Sequence, residues 1–291
     1  LQNVDFTLRK GEIHALMGEN GAGKSTLIKV LTGVYQKDSG HITLEGSDKD
    51  VVIRSPQEAQ DLGISTVYQE ITLCPNLTVA ENIDFYADMY GVPKRGRAAR
   101  VDELLDFSYM RPFKTRLAGD LSGGMKQKLQ LVCALIHTPK VLLLDEPTNG
   151  VDPVSRRDFW RILYQLLKQD VAILVSTAYL DEAERCGRVA MLNQGSLLAR
   201  GSPRELRSLM RRGLIAFRSS HARELARVLR ARLSGAGVDV FGAQVHVSAE
   251  DTTQAHHDAL AAIAAAGLDA EDLGEQTPSL EDVFVSVLGG E

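Results

Sequence analysis

Short apolar runs alternate with segments of helical periodicity along the first two thirds of the chain. The strand pattern occurs in seven segments, of which the last is a hairpin: 1–8, 13–17, 41–46, 64–69, 140–144, 171–176 and 189–199. Apolar positions at helical spacing predict helices at 55–62, at 79–107 with an interruption at Pro93, and at 155–168. Strands that alternate with helices predict an α/β fold with a mostly parallel sheet, in which ligands bind at the carboxyl ends of the strands.

The remainder of the chain has a different pattern. A helix is predicted at 203–211. The elements after it are predicted, in the order βαββαβ, at 214–218, 221–233, 238–241, 244–247, 253–266 and 268–273. That order is typical of a small ferredoxin-like unit. A capping box at Ser279-Leu280-Glu281-Asp282 predicts a final helix, although aspartate stands where glutamate or glutamine is usual. The sequence therefore predicts a large α/β domain at residues 1–210 and a small α+β accessory domain at residues 211–291.

A glycine-rich segment follows the strand predicted at 13–17. From Gly18 to Ser25 it fits the pattern G-x-x-x-x-G-K-[ST] at every fixed position. Glycines permit a tight loop whose N–H groups point at phosphate oxygens, and the helix that follows turns its positive end to the same anion. Lys24 would reach the outer phosphates, and the Ser25 hydroxyl would bind Mg²⁺. The candidate nucleotide-binding residues are Gly18, Asn20, Gly21, Ala22, Gly23, Lys24, Ser25 and Thr26.

The alternative is an ordinary glycine-rich turn that contains a lysine. It is disfavoured because the segment lies between a predicted strand and a predicted helix. Polar residues also end two other predicted strands, with Gln69 on one and Asp145 and Glu146 on the other. Since the carboxyl ends of parallel strands share one edge of a sheet, we expect these residues to meet the glycine-rich loop.

Composition narrows the class of protein. The net charge of −5 argues against a nucleic-acid binder, which is normally basic. The three cysteines, Cys74, Cys133 and Cys186, are far apart and form no CxxC pair, which predicts a reducing compartment and no metal site built on thiolates. No apolar run approaches the roughly 18 residues of a membrane-spanning helix.

Two further motifs resemble those of a known family. Leu121-Ser122-Gly123-Gly124 resembles the signature motif of the ATP-binding subunits of ABC transporters, and 141–152 resembles their Walker B strand and D-loop. An LSGG tetrad alone also makes an ordinary helix N-cap, but the whole set in this order is specific. The resemblance covers residues 1 to about 210. It implies a P-loop NTPase sheet with a helical signature subdomain at about 78–135.

The resemblance also implies chemical roles, with ATP and Mg²⁺ as ligands. Asp145 would hold Mg²⁺ through its water shell, together with Ser25 and Gln69. Glu146 would orient and deprotonate the attacking water, and Gln69 would contact the metal or the water. The alternatives are a solvated charge for Glu146 and a plain turn residue for Gln69.

Family members work as head-to-tail dimers, so the resemblance implies protein partners. Ser122, Gly123 and Gly124, together with Leu121, would bind the γ-phosphate of ATP held by a facing ATPase domain, in a homodimer, a heterodimer or a tandem protein. Asp152 would lie at that interface. A transmembrane permease subunit would be the second partner, no nucleic acid is expected, and the protein would lie peripherally on the cytoplasmic face of the membrane.

Two departures from the family pattern affect these expectations. The family's first strand and its adenine-stacking aromatic residue would lie upstream of Leu1, so the sequence predicts that this strand is missing. The family also places a histidine just after the strand at 171–176, where this chain has Ala178. We therefore predict that ATP binds but that hydrolysis is slow.

Three functional hypotheses remain. Residues 1 to about 83 resemble sugar-importer ATPases, and the chain from about 85 onward resembles drug and antibiotic efflux ATPases; we favour efflux, because it accounts for more of the chain. The first hypothesis is a hydrolysing transporter subunit, and the second is a catalytically degenerate half of an asymmetric or tandem ATPase. The third, an ABC protein of DNA repair or translation, is disfavoured because residues 69–121 carry no inserted arm.

Overall fold

The structure is a computed structural model that describes residues 1–46, 49–210 and 212–289. The chain divides into two compact units, residues 1–202 and residues 203–291. The boundary therefore differs from the predicted one, between residues 210 and 211. The physical reason is that the short helix α8 (Pro203–Arg207) packs against the last helix, α11 (Leu280–Gly289), and so belongs to the second unit.

In the described part of the first unit, six strands form one sheet. In chain order they are β1 Ile13–Met17, β2 Ile64–Val67, β3 Val141–Asp145, β4 Ala172–Thr177, β5 Arg188–Asn193 and β6 Ser196–Gly201. Their order across the sheet is β2-β3-β4-β1-β5-β6, and only β6 is antiparallel to its neighbour. Strands β1, β3 and β4 are buried almost throughout, as expected for parallel strands in the middle of a sheet. The predicted α/β class is confirmed.

The α-helices described in this unit are α1 Lys24–Leu31, α2 Pro56–Asp61, α3 Val79–Met89, α4 Arg97–Phe107, α5 Gly123–Leu135, α6 Pro153–Leu167 and α7 Leu180–Ala183. Helices α3, α4 and α5 pack on one another within the range predicted for the helical subdomain. A capping box between Thr78 and Glu81 sets the start of α3. The chain between α3 and α4 contains Pro93, which explains the interruption in the helical pattern.

Two predicted strands are wrong. Residues 1–8 make only an isolated bridge, between Gln2 and Ser196, and residues 41–46 form no strand. Val4, Phe6 and Leu8 are partly buried against the core, so packing alone accounts for their alternation. A strand also needs a neighbour that supplies a ladder of hydrogen bonds, and side-chain alternation does not report whether that neighbour exists.

The second unit has its own sheet and core. Its elements are β7 Gly213–Arg218, α9 Ala222–Arg232, β8 Gly237–Phe241, β9 Gln244–Ala249, α10 Thr252–Ala266 and β10 Glu271–Gln276, followed by α11. The four strands are antiparallel in the order β10-β7-β9-β8. The core lies between this sheet and the two helices α9 and α10, and it includes Phe217, Leu225, Leu229, Val245 and Val247.

The capping box at the start of α11 is also present. Ser279 N–H donates to Asp282 Oδ2 at 2.8 Å, and Asp282 N–H donates to Ser279 Oγ at 3.2 Å. The other carboxylate oxygen of Asp282 lies 2.7 Å from Nδ1 of His246 on β9. Aspartate can thus replace glutamate here, since one of its oxygens completes the box while the other fixes the helix to the sheet.

His14 on β1 makes the stability of the first unit depend on pH. Its side chain is fully buried, and burial, helped by nearby Arg188, lowers the pKa of His14 to about 4. In the unfolded chain the pKa is about 6.5. Below pH 6.5 the unfolded state therefore binds a proton at His14 that the folded state does not bind. The free energy of unfolding that His14 contributes above this pH is lost as the pH falls towards 4.

Between pH 6.5 and pH 4 we expect the free energy of unfolding to fall by about 2–3 kcal/mol less in His14→Phe than in the parent. Urea unfolding can be followed through Trp160, the only tryptophan of the chain, which is buried in the first unit. His41→Gln, at an exposed histidine, serves as the control and should keep the parent's pH dependence. An unchanged acid dependence in His14→Phe would contradict the assignment.

Candidate nucleotide-binding site

The register of the sheet brings three predicted segments to one edge. Met17 on β1 pairs with Thr177 on β4, and Asp145 on β3 pairs with Ser176 on β4. The residues that follow these three strands therefore emerge side by side. The connection from β1 runs towards the edge of the sheet that β2 forms, whereas the connection from β4 crosses β1 to reach β5. The connections thus change direction at β1, which marks the switch point at which open α/β sheets bind ligands.

The glycine-rich loop joins β1 to α1. A Cβ on Gly18 would lie 2.4 Å from the carbonyl oxygen of Leu192, so no other residue fits there. Gly21 and Gly23 have φ of 84° and 106°, in the left-handed region that favours glycine. A Cβ on Gly21 would meet nothing within 4 Å, so this part of the loop faces open space.

Helix α1 begins directly after this loop. Gly23 is its N-cap and supplies no side-chain hydrogen bond, whereas Ser55, Thr78 and Ser122 cap α2, α3 and α5. The first N–H groups of α1 are therefore left without a side-chain acceptor, at the positive end of the helix. That arrangement suits a phosphate group.

Lys24 closes the loop from one side. The residue is only 4% exposed, and its Nζ donates to the carbonyl oxygens of Gly18 at 2.7 Å and Glu19 at 3.1 Å. The same ammonium lies 3.2 Å from Glu146 Oε1. The structure thus brings together the lysine and the carboxylate that the sequence predicted to meet.

Ser176 fixes both acidic residues at the end of β3. Its hydroxyl donates to Asp145 Oδ1 at 2.5 Å and accepts from the backbone N–H of Glu146 at 2.9 Å. Glu146 itself has a φ of 47°, which turns the chain sharply after the strand. The role of Ser176 could not be predicted from the sequence, because many serines end buried strands; its register with Asp145 identifies it.

Gln69 lies two residues beyond the end of β2, and its side chain is exposed. The buried Gln130 of α5 donates to the carbonyl oxygens of Tyr68 at 3.3 Å and Glu70 at 3.0 Å. These two bonds hold the backbone on both sides of Gln69. Gln130 is a second residue that sequence reasoning missed, since it lies in the middle of a helix without a motif.

Three oxygen-bearing side chains in this region fit a magnesium ion. Among the described residues, Asp145 Oδ2, Ser25 Oγ and the Gln69 amide have no hydrogen-bond partner in the protein. Mg²⁺ prefers oxygen ligands and is commonly bound through one carboxylate together with substrate phosphates and water. The described ranges contain no group of three or more His, Cys, Asp or Glu side chains that could hold a metal by themselves.

The signature residues lie apart from the glycine-rich loop. Ser122 Oγ accepts from Met125 N–H at 3.4 Å within its own helix α5, and among the described residues no hydrogen bond joins Ser122 to the loop. A Cβ on Gly124 would lie 2.3 Å from Ser155 Cβ, so this glycine lets α5 approach α6. Gly123 faces open space, and Leu121 is buried.

Asp152 caps α6 and is exposed. Its Oδ1 accepts from the N–H groups of Val154 at 3.1 Å and Ser155 at 2.9 Å. The hydrogen bond from the backbone of Ser155 is the largest of several that hold the pKa of Asp152 below its usual range. Within this chain the aspartate has a structural role as an N-cap.

Ala178 directly follows β4 and is exposed. The helix after it is anchored by Glu182, whose buried carboxylate accepts hydrogen bonds from Thr148, from Thr177 at 2.8 Å and from Trp160 Nε1 at 3.4 Å. Glu182 therefore connects the segments that follow β3 and β4. This role of Glu182 was not predicted from the sequence.

A cavity of about 270 Å³ lies at the opposite edge of the same sheet. It is lined by residues that precede the strands, among them Lys10, Lys140 and Val171. None of the predicted site residues lines it. The glycine-rich loop is therefore not part of this cavity.

A glycine-rich loop between a buried strand and an uncapped helix, with a lysine and two carboxylates at the same sheet edge, defines a P-loop nucleotide-binding domain. Residues 1–149 match the family model described as ABC transporter. The chain therefore belongs to the ABC transporter family, as an ATP-binding protein. ABC ATP-binding domains are in general ATPases.

Curated relatives of two kinds are similar to the chain. It is 39% identical to the probable multidrug ABC transporter ATP-binding protein YbhF of Escherichia coli (strain K12), over 99% of this chain and 49% of that protein. It is 31% identical to the daunorubicin resistance ATP-binding protein DrrA2 of Streptomyces coeruleorubidus, over 99% of this chain and 90% of that protein. It is 43% identical to the ribose import ATP-binding protein RbsA 1 of Rubrobacter xylanophilus, over 69% of this chain and 41% of that protein. The chain thus spans about half the length of YbhF.

The fold has counterparts among solved structures. An ATP-binding subunit of an ABC transporter superposes with a TM-score of 0.63 at 29% identity, covering 72% of this chain and 86% of that chain. The predicted resemblance to ABC ATP-binding subunits, with both efflux and sugar-import relatives, is confirmed. No helix in the described ranges is both long and apolar enough to cross a membrane.

Proposed function

We propose that the chain hydrolyses ATP as a subunit of an efflux-type ABC transporter and that dimer closure driven by ATP is coupled to transport. The observation that supports this most is the convergence of Lys24, Asp145 and Glu146 beside an uncapped helix at one sheet edge. The names of YbhF and DrrA2 refer to multidrug transport and daunorubicin resistance, which favours efflux over import.

The geometry suggests how the residues act in turn. The N–H groups of α1 and the loop bind the phosphates, and Lys24 moves from Glu146 to the more highly charged phosphate oxygens. Its departure frees Glu146 Oε1 to accept a proton from water. Ser25, Asp145 and Gln69 would hold a magnesium ion, which would neutralise developing charge on the phosphates.

Protein partners complete the proposed site. Ser122 and the open face of Gly123, at the N-terminus of α5, bind the γ-phosphate of ATP held by a facing ATPase domain. This assignment is supported by the described residues, in which neither Ser122 nor Gly123 contacts the glycine-rich loop of the same chain. Asp152 lies at that interface. The dimer acts on a transmembrane permease subunit from the cytoplasmic face of the membrane.

A second candidate is a catalytically degenerate half of an asymmetric or tandem ATPase. Ala178 favours it, because its methyl group offers no hydrogen bond to phosphate or water at the end of β4. In that role the chain binds ATP and presents Ser122, Gly123 and Gly124 to a competent partner.

Closure is tested with a variant that binds ATP without hydrolysing it. Glu146→Gln keeps the shape of the side chain and removes the base, so ATP should convert the protein to a dimer or heterodimer with its natural partner. Adding Ser122→Arg should block this conversion, because the long arginine side chain would fill the space in which the γ-phosphate of the facing domain binds. Light scattering with and without ATP measures the change in mass.

Ser220→Arg in the same Glu146→Gln background is the matched control. Ser220 is also exposed, but it lies in the second unit, where among the described residues its hydroxyl bonds only to the neighbouring His221. Dimer formation should survive this change. A mass that does not respond to ATP, even with the partner present, would refute the closure model.

A further inference from the structure

The two oxygens of the Glu146 carboxylate face different partners. Oε1 lies 3.2 Å from Lys24 Nζ, and Oε2 accepts a hydrogen bond of 3.3 Å from Asn149 Nδ2. The side chain is only 14% exposed, which limits competition from solvent. Phosphate binding draws Lys24 away from Oε1, whereas the contact on Oε2 does not involve the loop. Among the described residues, Asn149 is thus the side chain that continues to hold the carboxylate.

The position and orientation of Asn149 are both set by neighbours. Its backbone N–H donates to the carbonyl oxygen of Glu146 at 3.2 Å, so a tight turn fixes its distance from the carboxylate. The hydroxyl of Tyr179 donates to Asn149 Oδ1 at 3.3 Å. A donor on the amide oxygen leaves the amide nitrogen to face Glu146, because an asparagine side chain accepts only through oxygen and donates only through nitrogen.

Tyr179 is held in turn by its surroundings. Its backbone N–H donates to Thr177 Oγ1 at 2.9 Å, and the Arg156 guanidinium lies 4.6 Å from the centre of its ring. That distance allows a cation–π contact. Arg156 lies 3.7 Å from carboxylate oxygens of both Asp181 and Glu182, which keeps the guanidinium over the ring.

We propose that Asn149 and Tyr179 are positioning residues, which hold the Glu146 carboxylate in the orientation that accepts a proton from the attacking water. They do so beside Ala178, where no histidine is present to perform this task. The inference rests on the proposed function, in which Glu146 is the base. Neither residue reaches the glycine-rich loop through a hydrogen bond, so their loss affects the rate of hydrolysis and not the binding of ATP.

Tyr179→Phe, which keeps the ring over Arg156, tests this role against Tyr164→Phe. The two tyrosines are 37% and 39% exposed, and each hydroxyl makes a hydrogen bond of 3.3 Å, but Tyr164 bonds to the carbonyl oxygen of Arg185. Single-turnover hydrolysis by the full-length protein should slow about 5-fold in Tyr179→Phe, the effect of one hydrogen bond, with unchanged ATP affinity. Tyr164→Phe should match the parent.

Two further measurements separate positioning from a structural effect. In an Ala178→His background the histidine supplies a second support, so Tyr179→Phe should slow hydrolysis less than it does in the parent. The side-chain amide signals of Asn149 in ¹⁵N NMR, assigned with Asn149→Ala, should shift in Tyr179→Phe without nucleotide. They should stay in place in Tyr164→Phe.

The outcomes distinguish this inference from the proposed function. Hydrolysis that persists unchanged in Glu146→Gln overturns the proposed function and the positioning role with it. If Glu146→Gln stops hydrolysis while Tyr179→Phe and Tyr164→Phe are equally fast, only the positioning role is overturned. A loss of ATP affinity in Tyr179→Phe equal to its loss of rate would also overturn it, because it would show a general disturbance of the site.

Discussion

Replacing Lys24 with alanine is expected to weaken the binding of Mg·ATP by about 2–4 kcal/mol, as for the loss of charge-assisted contacts. In the structure the ammonium is 4% exposed and lies over the loop beside Glu146. Its removal costs the contacts to the outer phosphates and also leaves the Glu146 carboxylate without its counter-charge near the incoming anion. Both effects reduce affinity, which calorimetry measures directly.

Lys29→Ala is the matched control for this prediction. Lys29 lies on the same helix α1 but contacts the ring of Tyr35, 5.3 Å from its Nζ, rather than the loop. We expect this variant to bind ATP as the parent does, and the fluorescence of Trp160 checks that both variants are folded. Equal affinity of Lys24→Ala and Lys29→Ala would remove the assignment of the loop as the nucleotide site.

The sequence predicted the parallel part of the sheet well, for a physical reason. Strands such as 141–145 and 172–177 are buried on both faces, so each is a continuous apolar run with polar residues at its end. Residues 1–8 and 41–46 show the limit of this reasoning. The alternation in residues 1–8 reflects which side chains contact the core. In both segments the absence of a paired neighbouring strand cannot be deduced from the segment itself.

The candidate site likewise contains residues that the sequence predicts and residues that it does not. Lys24, Asp145 and Glu146 could be predicted, because phosphate chemistry requires these residue types at fixed positions in a motif. Ser176 and Gln130 could not, because any residue that supplies a hydrogen bond of the right length can support a site, and its position depends on the three-dimensional fold. The register of β3 with β4 reveals Ser176, and the packing of α5 beside Tyr68 reveals Gln130.

The alanine at position 178 should have a large effect on hydrolysis. A histidine there, as the family resemblance implies, would donate a hydrogen bond to the γ-phosphate and help to hold the water beside Glu146. Asn149 compensates for the absent histidine only in part, because it holds the Glu146 carboxylate through Oε2. The donor to the phosphate is still missing, and the loss of one preorganised donor to developing charge costs about 10²–10³ in rate, or roughly 3–4 kcal/mol. Binding should suffer less, because the loop and Lys24 supply the other contacts.

Ala178→His is therefore expected to raise the steady-state ATPase rate about 10²–10³-fold with little change in ATP affinity. Position 178 is exposed, so the larger side chain needs no rearrangement of the core. Ala178→Phe adds similar bulk without an N–H group and should give no gain, while Glu146→Gln should remove the activity of both the parent and Ala178→His. The opposing view is that Glu146 alone suffices and that the histidine would only orient it. A parent rate near ~10 s⁻¹, the median for enzymes, with no gain in Ala178→His, would establish that view and exclude a degenerate site.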